Sequence, residues 1–187
     1  RKQRVDDPNA GMGIAVGDYS GDGLLDLFVT NSRGQLHAAY RARAGLPYAD
    51  ARPDFVGALG QQSTGWGASW ADLDLDGRPE LAVANGAIPV TSLAKDAGRL
   101  RVVTTDGRSI RALDTGPSAP RNGRGLAAAD FDNDGDLDLA VNSVGGALQL
   151  FRDDEATGHW LEVGGLEPGA IVTATLPDGR RLVREMH

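Results

Sequence analysis

A short acidic pattern occurs three times in the chain, and it limits the folds that the chain can adopt. The three segments align without a gap and read GIAVGDYSGDGLLDLFVTN (13–31), GASWADLDLDGRPELAVAN (67–85) and GLAAADFDNDGDLDLAVNS (125–143). The acidic loops start at Asp18, Asp72 and Asp130, so they follow one another at intervals of 54 and 58 residues. Such self-similarity is typical of arrays in which one supersecondary unit is repeated.

The residues that flank each acidic loop also repeat. A glycine lies five positions before the first aspartate, Asp-Gly occupies loop positions 5 and 6, and an alternating Leu-x-Val follows. Alternation of period two is typical of a half-buried strand, and the small and apolar residues before each loop favour a partner strand. Each acidic loop is therefore predicted to join the two strands of an antiparallel hairpin.

Further strand-like runs, such as those at 35–40, 100–104 and 109–113, lie in the intervals between the loops. A period of about 55 residues with roughly four short strands fits a propeller blade. No long stretch has helical periodicity; residues 90–98 are predicted to form a short helix or an insertion loop. The predicted fold is all-β, a partial β-propeller of about three four-stranded blades with calcium-binding hairpin loops. Because natural propellers have about 4–8 blades, we expect a piece of a longer protein or an open array.

The acidic loops have the composition of cation sites. Clustered carboxylates repel one another, whereas Ca²⁺ accepts about six to eight oxygen ligands in flexible geometry. Glycine at position 6 permits the sharp turn that returns the carbonyl of position 7 to the ion. We therefore predict side-chain ligands at positions 1, 3, 5 and 9 and a backbone ligand at position 7, with the side chains of Arg78 and Asp136 pointing away. These positions hold Asp18, Ser20, Asp22, Leu24 and Asp26 in the first loop, Asp72, Asp74, Asp76, Arg78 and Glu80 in the second, and Asp130, Asp132, Asp134, Asp136 and Asp138 in the third.

Up to three Ca²⁺ ions are predicted, with the first loop weakest because Ser20 replaces a carboxylate, and the third strongest. The pattern is not an EF-hand, whose bidentate Glu lies at position 12 between helices. Mg²⁺ retains several waters, and Zn²⁺ prefers nitrogen or sulfur ligands. Sites of the extracellular type have a Kd of about 10⁻⁴–10⁻³ M, so we expect a secreted, periplasmic or cell-surface setting.

Composition excludes several other classes of function. The chain has no cysteine, which excludes a disulfide framework and a thiol nucleophile, and only three histidines. The net charge is −7, but 12 of the 26 acids lie in the three loops, and no basic stripe indicates nucleic-acid binding. No apolar run approaches the roughly 18 residues of a membrane span.

Aromatic residues and histidines offer weaker candidates. Trp66 and Trp70 precede the second loop and could form a sugar platform, but packing between blades is the favoured interpretation. Trp160 lies in an alternating run and is predicted to be in the core. His37 has no partner at a recognisable spacing, and the chain has neither a G-x-S-x-G elbow nor a P-loop.

The repeats resemble FG-GAP/VCBS-type repeats of calcium-loop β-propellers, over about residues 10–152. The tail is similar to the start of an ASPIC/UnbV domain, as in bacterial relatives of cartilage acidic protein. The resemblance predicts a propeller region at 1–152 and a truncated ASPIC/UnbV-like β segment at 153–187. The matching tail runs are His159-Trp160-Leu161-Glu162-Val163, Gly169-Ala170-Ile171-Val172, Asp178-Gly179-Arg180 and Val183-Arg184-Glu185, with Gly65-Trp66-Gly67 and Phe151-Arg152-Asp153-Asp154 before them.

The resemblance implies a calcium-binding extracellular module for protein or glycan binding or adhesion, in which the calcium is structural. The alternative is an enzyme built on a calcium-stabilised propeller, with its site on a blade face or in the central channel. A third hypothesis is a scaffolding role within a larger chain. A deep cleft with convergent polar residues would favour the enzyme. The expected partners are an unknown extracellular protein or glycan and the remainder of a longer propeller chain.

Overall fold

The structure is a computed structural model that describes residues 4–106, 109–113, 119–154 and 158–185. The fold is all-β with one short helix in the described ranges. The elements are β1 (Ile14–Gly17), β2 (Asp26–Val29), β3 (Ala38–Arg41), β4 (Ala49–Asp50), α1 (Arg52–Leu59), β5 (Gly65–Ala71), β6 (Glu80–Asn85), β7 (Arg101–Thr105), β8 (Ile110–Leu113), β9 (Gly123–Ala129), β10 (Asp138–Ser143), β11 (Gln149–Phe151), β12 (Ile171–Thr175) and β13 (Arg181–Glu185).

The strands form four antiparallel sheets. The first has the order β1-β2-β3-β4, the second β5-β6-β7-β8 and the third β11-β10-β9, while β12 and β13 form a hairpin. Each acidic loop joins the first two strands of its sheet, as the sequence predicts. The predicted strands at 35–40, 100–104 and 109–113 appear as β3, β7 and β8. The described residues form no closed barrel.

The three repeat sheets pack face against face in chain order. One core lies between the first and second sheets and includes Phe28, Leu81 and Val83, with Phe55 of α1. A second core lies between the second and third sheets and includes Ala82, Leu139 and Val141. The first strands β1, β5 and β9 are neighbours along the stack. Because the second sheet is covered on both sides, every residue of β6 is buried.

The repeated glycine before each loop allows neighbouring first strands to come close. A Cβ atom added to Gly13 would lie 2.1 Å from the carbonyl oxygen of Trp66, in β5. A Cβ atom added to Gly67 would lie 2.5 Å from the backbone nitrogen of Leu126, in β9. Any side chain at these positions would therefore separate the sheets.

The helix α1 lies in a segment where the sequence gives little helical signal. Its buried residues Phe55 and Leu59 are one turn apart and contact the first core, and Pro53 lies in the first turn, where its missing N–H has no cost. A helix of 8 residues is too short for its periodicity to be recognised in the sequence. Residues 90–98 form turns and two isolated bridges, at Ala97 and Gly98, so of the two predicted alternatives the insertion loop is correct.

Two of the three tryptophans pack as predicted. Trp70 stacks on Tyr19 with ring centroids 5.3 Å apart, and the Arg124 guanidinium lies 4.0 Å from the ring centroid of Trp66. The prediction for Trp160 is wrong: it lies outside any strand and is 56% exposed. Its ring lies over Gly135 of the third loop instead of entering a core.

The β12–β13 hairpin lies across the first two acidic loops. A Cβ atom on Gly77 would lie 3.1 Å from Leu182, and one on Gly23 would lie 3.7 Å from Arg181. Arg180 donates a hydrogen bond to the backbone carbonyl of Asp76 at 3.3 Å. The C-terminal part of the chain therefore contacts the loops for which cation binding is predicted. No helix in the described ranges is long and apolar enough to span a membrane.

Candidate metal centres

The three acidic loops share one hydrogen-bond frame. At position 1, the aspartate accepts a hydrogen bond from the N–H of the glycine at position 6, at 2.8 Å in the first loop, 3.2 Å in the second and 2.9 Å in the third. At position 5, the aspartate accepts one from the N–H of position 7. These bonds curl the chain so that its alternate side chains turn toward one region.

Two positions of each loop have left-handed backbone geometry. Position 6 is glycine in every loop, with φ between 85° and 100°, as the sequence predicts. Position 4 is also left-handed, but it is glycine only in the first loop; the others have Leu75 (φ 54°) and Asn133 (φ 63°). Asparagine tolerates this region, whereas a leucine there costs about 1–2 kcal/mol. Because the residue type at position 4 differs between the loops, the sequence does not indicate left-handed geometry there.

The acid at position 9 is the most buried residue of each loop. Asp26, Glu80 and Asp138 are 0%, 1% and 1% exposed. One carboxylate oxygen of each accepts an N–H from within its loop, donated by Ser20, Leu73 and Phe131 respectively. The other oxygen reaches the end of the third strand, where the donors are the N–H of Ala42 (2.7 Å), the hydroxyl of Thr104 (2.8 Å) and the N–H of Asp153 (3.0 Å).

These buried carboxylates form no salt bridge in the described ranges, although Arg41 is near enough to Asp26 to interact with it electrostatically. No Lys, Arg or His nitrogen there lies within 4.0 Å of Asp26, Glu80 or Asp138. Burial raises the pKa of Asp26 to about 6 and that of Glu80 to about 7, against the lowering effect of their hydrogen bonds. Burial also raises the pKa of Asp18 and of Asp72. The position-9 acids of the loops therefore hold negative charge that no salt bridge in the described part of the protein neutralises.

Carboxylate oxygens converge in two of the three loops. Asp72, Asp74 and Glu80 bring one oxygen each within 4.8 Å of one another, at positions 1, 3 and 9 of the second loop. The same positions converge in the third loop, in Asp130, Asp132 and Asp138. The acid at position 5 belongs to neither of these two groups. In the second loop this is Asp76; in the third it is Asp134, which groups instead with Asp132 and the exposed Asp154.

The first loop does not bring three carboxylates together to this degree. Its acids Asp18, Asp22 and Asp26 form no such group among the described residues. Its position 3 is Ser20, whose hydroxyl oxygen is buried without a hydrogen bond of good geometry in the part of the chain that the structure describes. This hydroxyl lies close enough to Asp26 to lower the pKa of that carboxyl, against the larger raising effect of burial.

Position 7 holds Leu24, Arg78 and Asp136, predicted to act through their carbonyls. None of these side chains belongs to a convergent group, although Asp136 is only 8% exposed. Ligation by the three carbonyls stays a prediction. The donor atoms of the convergent groups are all carboxylate oxygens, the ligands that hard cations such as Ca²⁺ prefer.

In the described ranges, two arginines form salt bridges with loop carboxylates, and sequence reasoning did not assign them to the sites. Arg184 of β13 places Nη2 3.2 Å from Oδ2 of Asp72. Arg152, just after β11, places Nη1 2.8 Å from Asp132 and Nη2 3.7 Å from Asp134. Both lie in runs that match the family resemblance, but their separation from the loops in sequence gives no sign of contact. Each guanidinium supplies positive charge to an acid at position 1, 3 or 5.

Comparison with known proteins gives two related findings. Residues 18–83, which include the first two loops, match the family described as FG-GAP-like repeat. Cartilage acidic protein 1 from Mus musculus and from Homo sapiens is 31% identical to this chain over 172 residues, covering 85% of the chain. That alignment covers 25% of each relative, so the chain spans about a quarter of the length of the curated relatives that it matches.

Proposed function

We propose that this chain, a member of the FG-GAP-like repeat family, is a calcium-stabilised part of a β-propeller and serves as an extracellular binding or adhesion module. Each of the first three sheets is one blade, and each acidic loop is one calcium site. The calcium is structural, and the partner is an extracellular protein or glycan. In this proposal the loops order the surface that the partner contacts.

The observation that carries the proposal is the burial of a carboxylate at position 9 of every loop with no salt bridge to it among the described residues. An ionised carboxylate inside a protein is strongly destabilising unless it is paired or coordinates a metal. The hydrogen bonds to Asp26, Glu80 and Asp138 orient these groups but supply no positive charge. A divalent cation among positions 1, 3, 5 and 9 would neutralise them.

Bound calcium would supply the positive charge that lets these carboxylates stay ionised inside the loop. The residues at positions 1, 3, 5 and 9 would hold it with their side chains and position 7 with its carbonyl. The position-9 acid also accepts a hydrogen bond from the end of the third strand. This hydrogen bond therefore holds the loop against the third strand of its own blade.

We propose an extracellular setting, with calcium sites of the affinity that extracellular modules have. Sites of this type have a Kd of about 10⁻⁴–10⁻³ M, which matches extracellular calcium and would leave the loops empty in a cytosol. At roughly 1 mM free Ca²⁺, each site would add about 0.4–1.4 kcal/mol of stability. Three sites together would contribute up to about 4 kcal/mol, a large part of the stability of a typical domain.

The proposal is tested by calorimetric titration of chelated protein with Ca²⁺, together with thermal unfolding. We expect binding heat, and a melting temperature that rises with calcium and rises less with magnesium at the same concentration. No heat and no rise in melting temperature would overturn the proposal.

Two ligand variants and one control assign the effect to the loops. Asp74→Asn and Asp132→Asn each remove a carboxylate from a convergent group at an exposed position, so the fold should tolerate them. Each is expected to remove one site from the titration and reduce the calcium-dependent rise in melting temperature. Glu167→Gln removes an exposed acid of the tail and should change neither.

A further inference from the structure

The β12–β13 hairpin contacts the first two acidic loops at their position-6 glycines. A Cβ atom added to Gly77 would lie 3.1 Å from Leu182, and one added to Gly23 would lie 3.9 Å from Val183. Val183 is 3% exposed, whereas every other residue of β12 and β13 is partly or fully exposed. The apolar part of this contact is therefore small, and a two-stranded hairpin is only marginally stable by itself.

All three arginines of the hairpin also reach these loops. Arg184 places Nη2 3.2 Å from Oδ2 of Asp72. Arg180 donates a hydrogen bond to the backbone carbonyl of Asp76 at 3.3 Å. Arg181 lies against the first loop, with Nη1 3.7 Å from a Cβ atom built at the position-6 glycine. The hairpin therefore presents positive charge to both loops.

The two loops are strongly negative while they hold no cation. They contain seven acids and a single base, Arg78. The position-9 acids, Asp26 and Glu80, are buried and form no salt bridge in the described ranges. Opposite charges attract more strongly at a partly buried surface than in bulk water, so this excess of negative charge favours the docked hairpin. Two Ca²⁺ ions would cancel four of the seven negative charges.

A cleft of about 120 Å³ lies between the hairpin and the loops. The three hairpin arginines line it, and so do Asp18 and Ser20, the predicted ligands at positions 1 and 3 of the first loop. A cation that enters the cleft therefore meets ligand oxygens and guanidinium groups in one space. Because like charges repel, a Ca²⁺ ion bound to these loops would weaken the attraction that holds the hairpin.

We propose that the β12–β13 hairpin docks on the first two loops while they are empty and loosens from them when calcium binds. Its arginines are counter-ions for the empty loops, and Ca²⁺ replaces them. The coupling is reciprocal, so the docked hairpin also lowers the calcium affinity of these loops. The inference rests on the calcium binding of the proposed function and adds the segment of the chain that responds to it.

Hydrogen exchange of the full chain, measured by mass spectrometry with and without millimolar calcium, tests this proposal. We expect peptides from 171–185 to exchange about threefold faster or more in calcium, because the undocked hairpin is marginally stable and exposed ion pairs hold it only modestly. In the same samples, peptides from 18–26 and 72–80 should exchange more slowly. A hairpin whose exchange is unchanged or slowed by calcium would overturn the proposal.

A double variant assigns the effect to the arginines. Arg180→Gln with Arg184→Gln removes two of the hairpin charges at side chains that are 44% and 42% exposed, so the fold should tolerate it. Without calcium, its hairpin should exchange as fast as that of the calcium-loaded wild type, and calcium should then change the rate little. Arg101→Gln with Arg111→Gln removes two exposed arginines from the second sheet and should behave like the wild type.

Calorimetric titration of the same samples separates this inference from the proposed function. Calcium heat together with an unchanged hairpin would overturn the docking proposal and leave the calcium sites standing. Absence of calcium heat would overturn both. A double arginine variant whose hairpin still responds to calcium as the wild type does would show that the arginines do not carry the coupling, and it would also overturn the proposal.

Discussion

The stability of the folded protein depends on the protonation state of one buried residue, His37. Its Nδ1 accepts the N–H of Asn31 at 2.9 Å, and its ring contacts Phe28. The side chain is 6% exposed, and burial lowers its pKa from 6.5 to about 4. The sequence indicates only a histidine without a recognisable partner, since its partner is a backbone group. His37 therefore serves the core of the first sheet as a neutral acceptor.

The pH dependence of stability should include a contribution from His37 with a defined sign. The unfolded chain binds this proton near pH 6.5 and the folded chain near pH 4, so the protein loses stability as the pH falls between these values. At pH 5 the loss should be about 2 kcal/mol. His37→Gln keeps an acceptor and lacks this loss, so its stability deficit relative to the wild type should shrink from pH 7.5 to pH 5 in chemical denaturation.

His159→Gln is the matched control, because His159 is exposed. It changes the same residue type outside the core, and it should not reproduce the narrowing deficit expected of His37→Gln. The acids of the loops titrate in all three proteins, so their effects cancel in the comparison. A deficit of His37→Gln that stays constant or grows toward pH 5 would contradict the assignment.

At the scale of elements, the loops and hairpins could be predicted from sequence, and the contact between the β12–β13 hairpin and the loops could not. Repetition of Asp-Gly and of period-two alternation specifies local structure, because each feature acts within a few residues of itself. Arg184 and Asp72 are 112 residues apart, and nothing in their spacing indicates a pair. The short helix α1 was missed for the related reason that its two core residues are too few to show a period.

Arg184 and a bound cation should compete for Asp72. The guanidinium nitrogen lies 3.2 Å from the carboxylate that we assign to position 1 of the second site, and two cations at one carboxylate repel each other. Arg184→Gln should therefore tighten calcium binding at the second loop by a few-fold, measured by calorimetric titration. Arg111→Gln, an exposed arginine on the edge strand β8, should leave the affinity unchanged. Weaker calcium binding in Arg184→Gln would contradict the competition and would indicate that the β12–β13 hairpin stabilises the second site.

At the scale of the whole molecule, the repeated glycine sets the distance between sheets. The sequence shows that Gly13, Gly67 and Gly125 are equivalent, but it does not show why glycine is required there. The reason is the backbone of the adjacent sheet, which lies within 2.5 Å of a Cβ atom built at Gly67. The packing of one sheet against the next is a tertiary property. The sequence therefore shows the repeated glycine but not the close backbone contact that requires it.

Gly67→Ala should destabilise the protein far more than Gly125→Ala. The first change forces a methyl group into backbone atoms, and overpacking of this kind typically costs about 1–3 kcal/mol or more. The second places the same methyl group beside one side chain that can move. Thermal and urea unfolding of the two variants measure the difference. Equal losses of stability would show that the glycines serve their own strands and not the spacing between sheets.

The complete burial of β6 has a kinetic consequence. Terminal strands such as β4, β8 and β11 can detach and let solvent reach their amides, whereas β6 has a sheet against each face and a hydrogen-bonded strand along each edge. Its amide hydrogens should exchange with deuterated solvent only when the whole stack opens. The slowest-exchanging segment should therefore be 80–85, and its exchange rate should report the global unfolding free energy of the array.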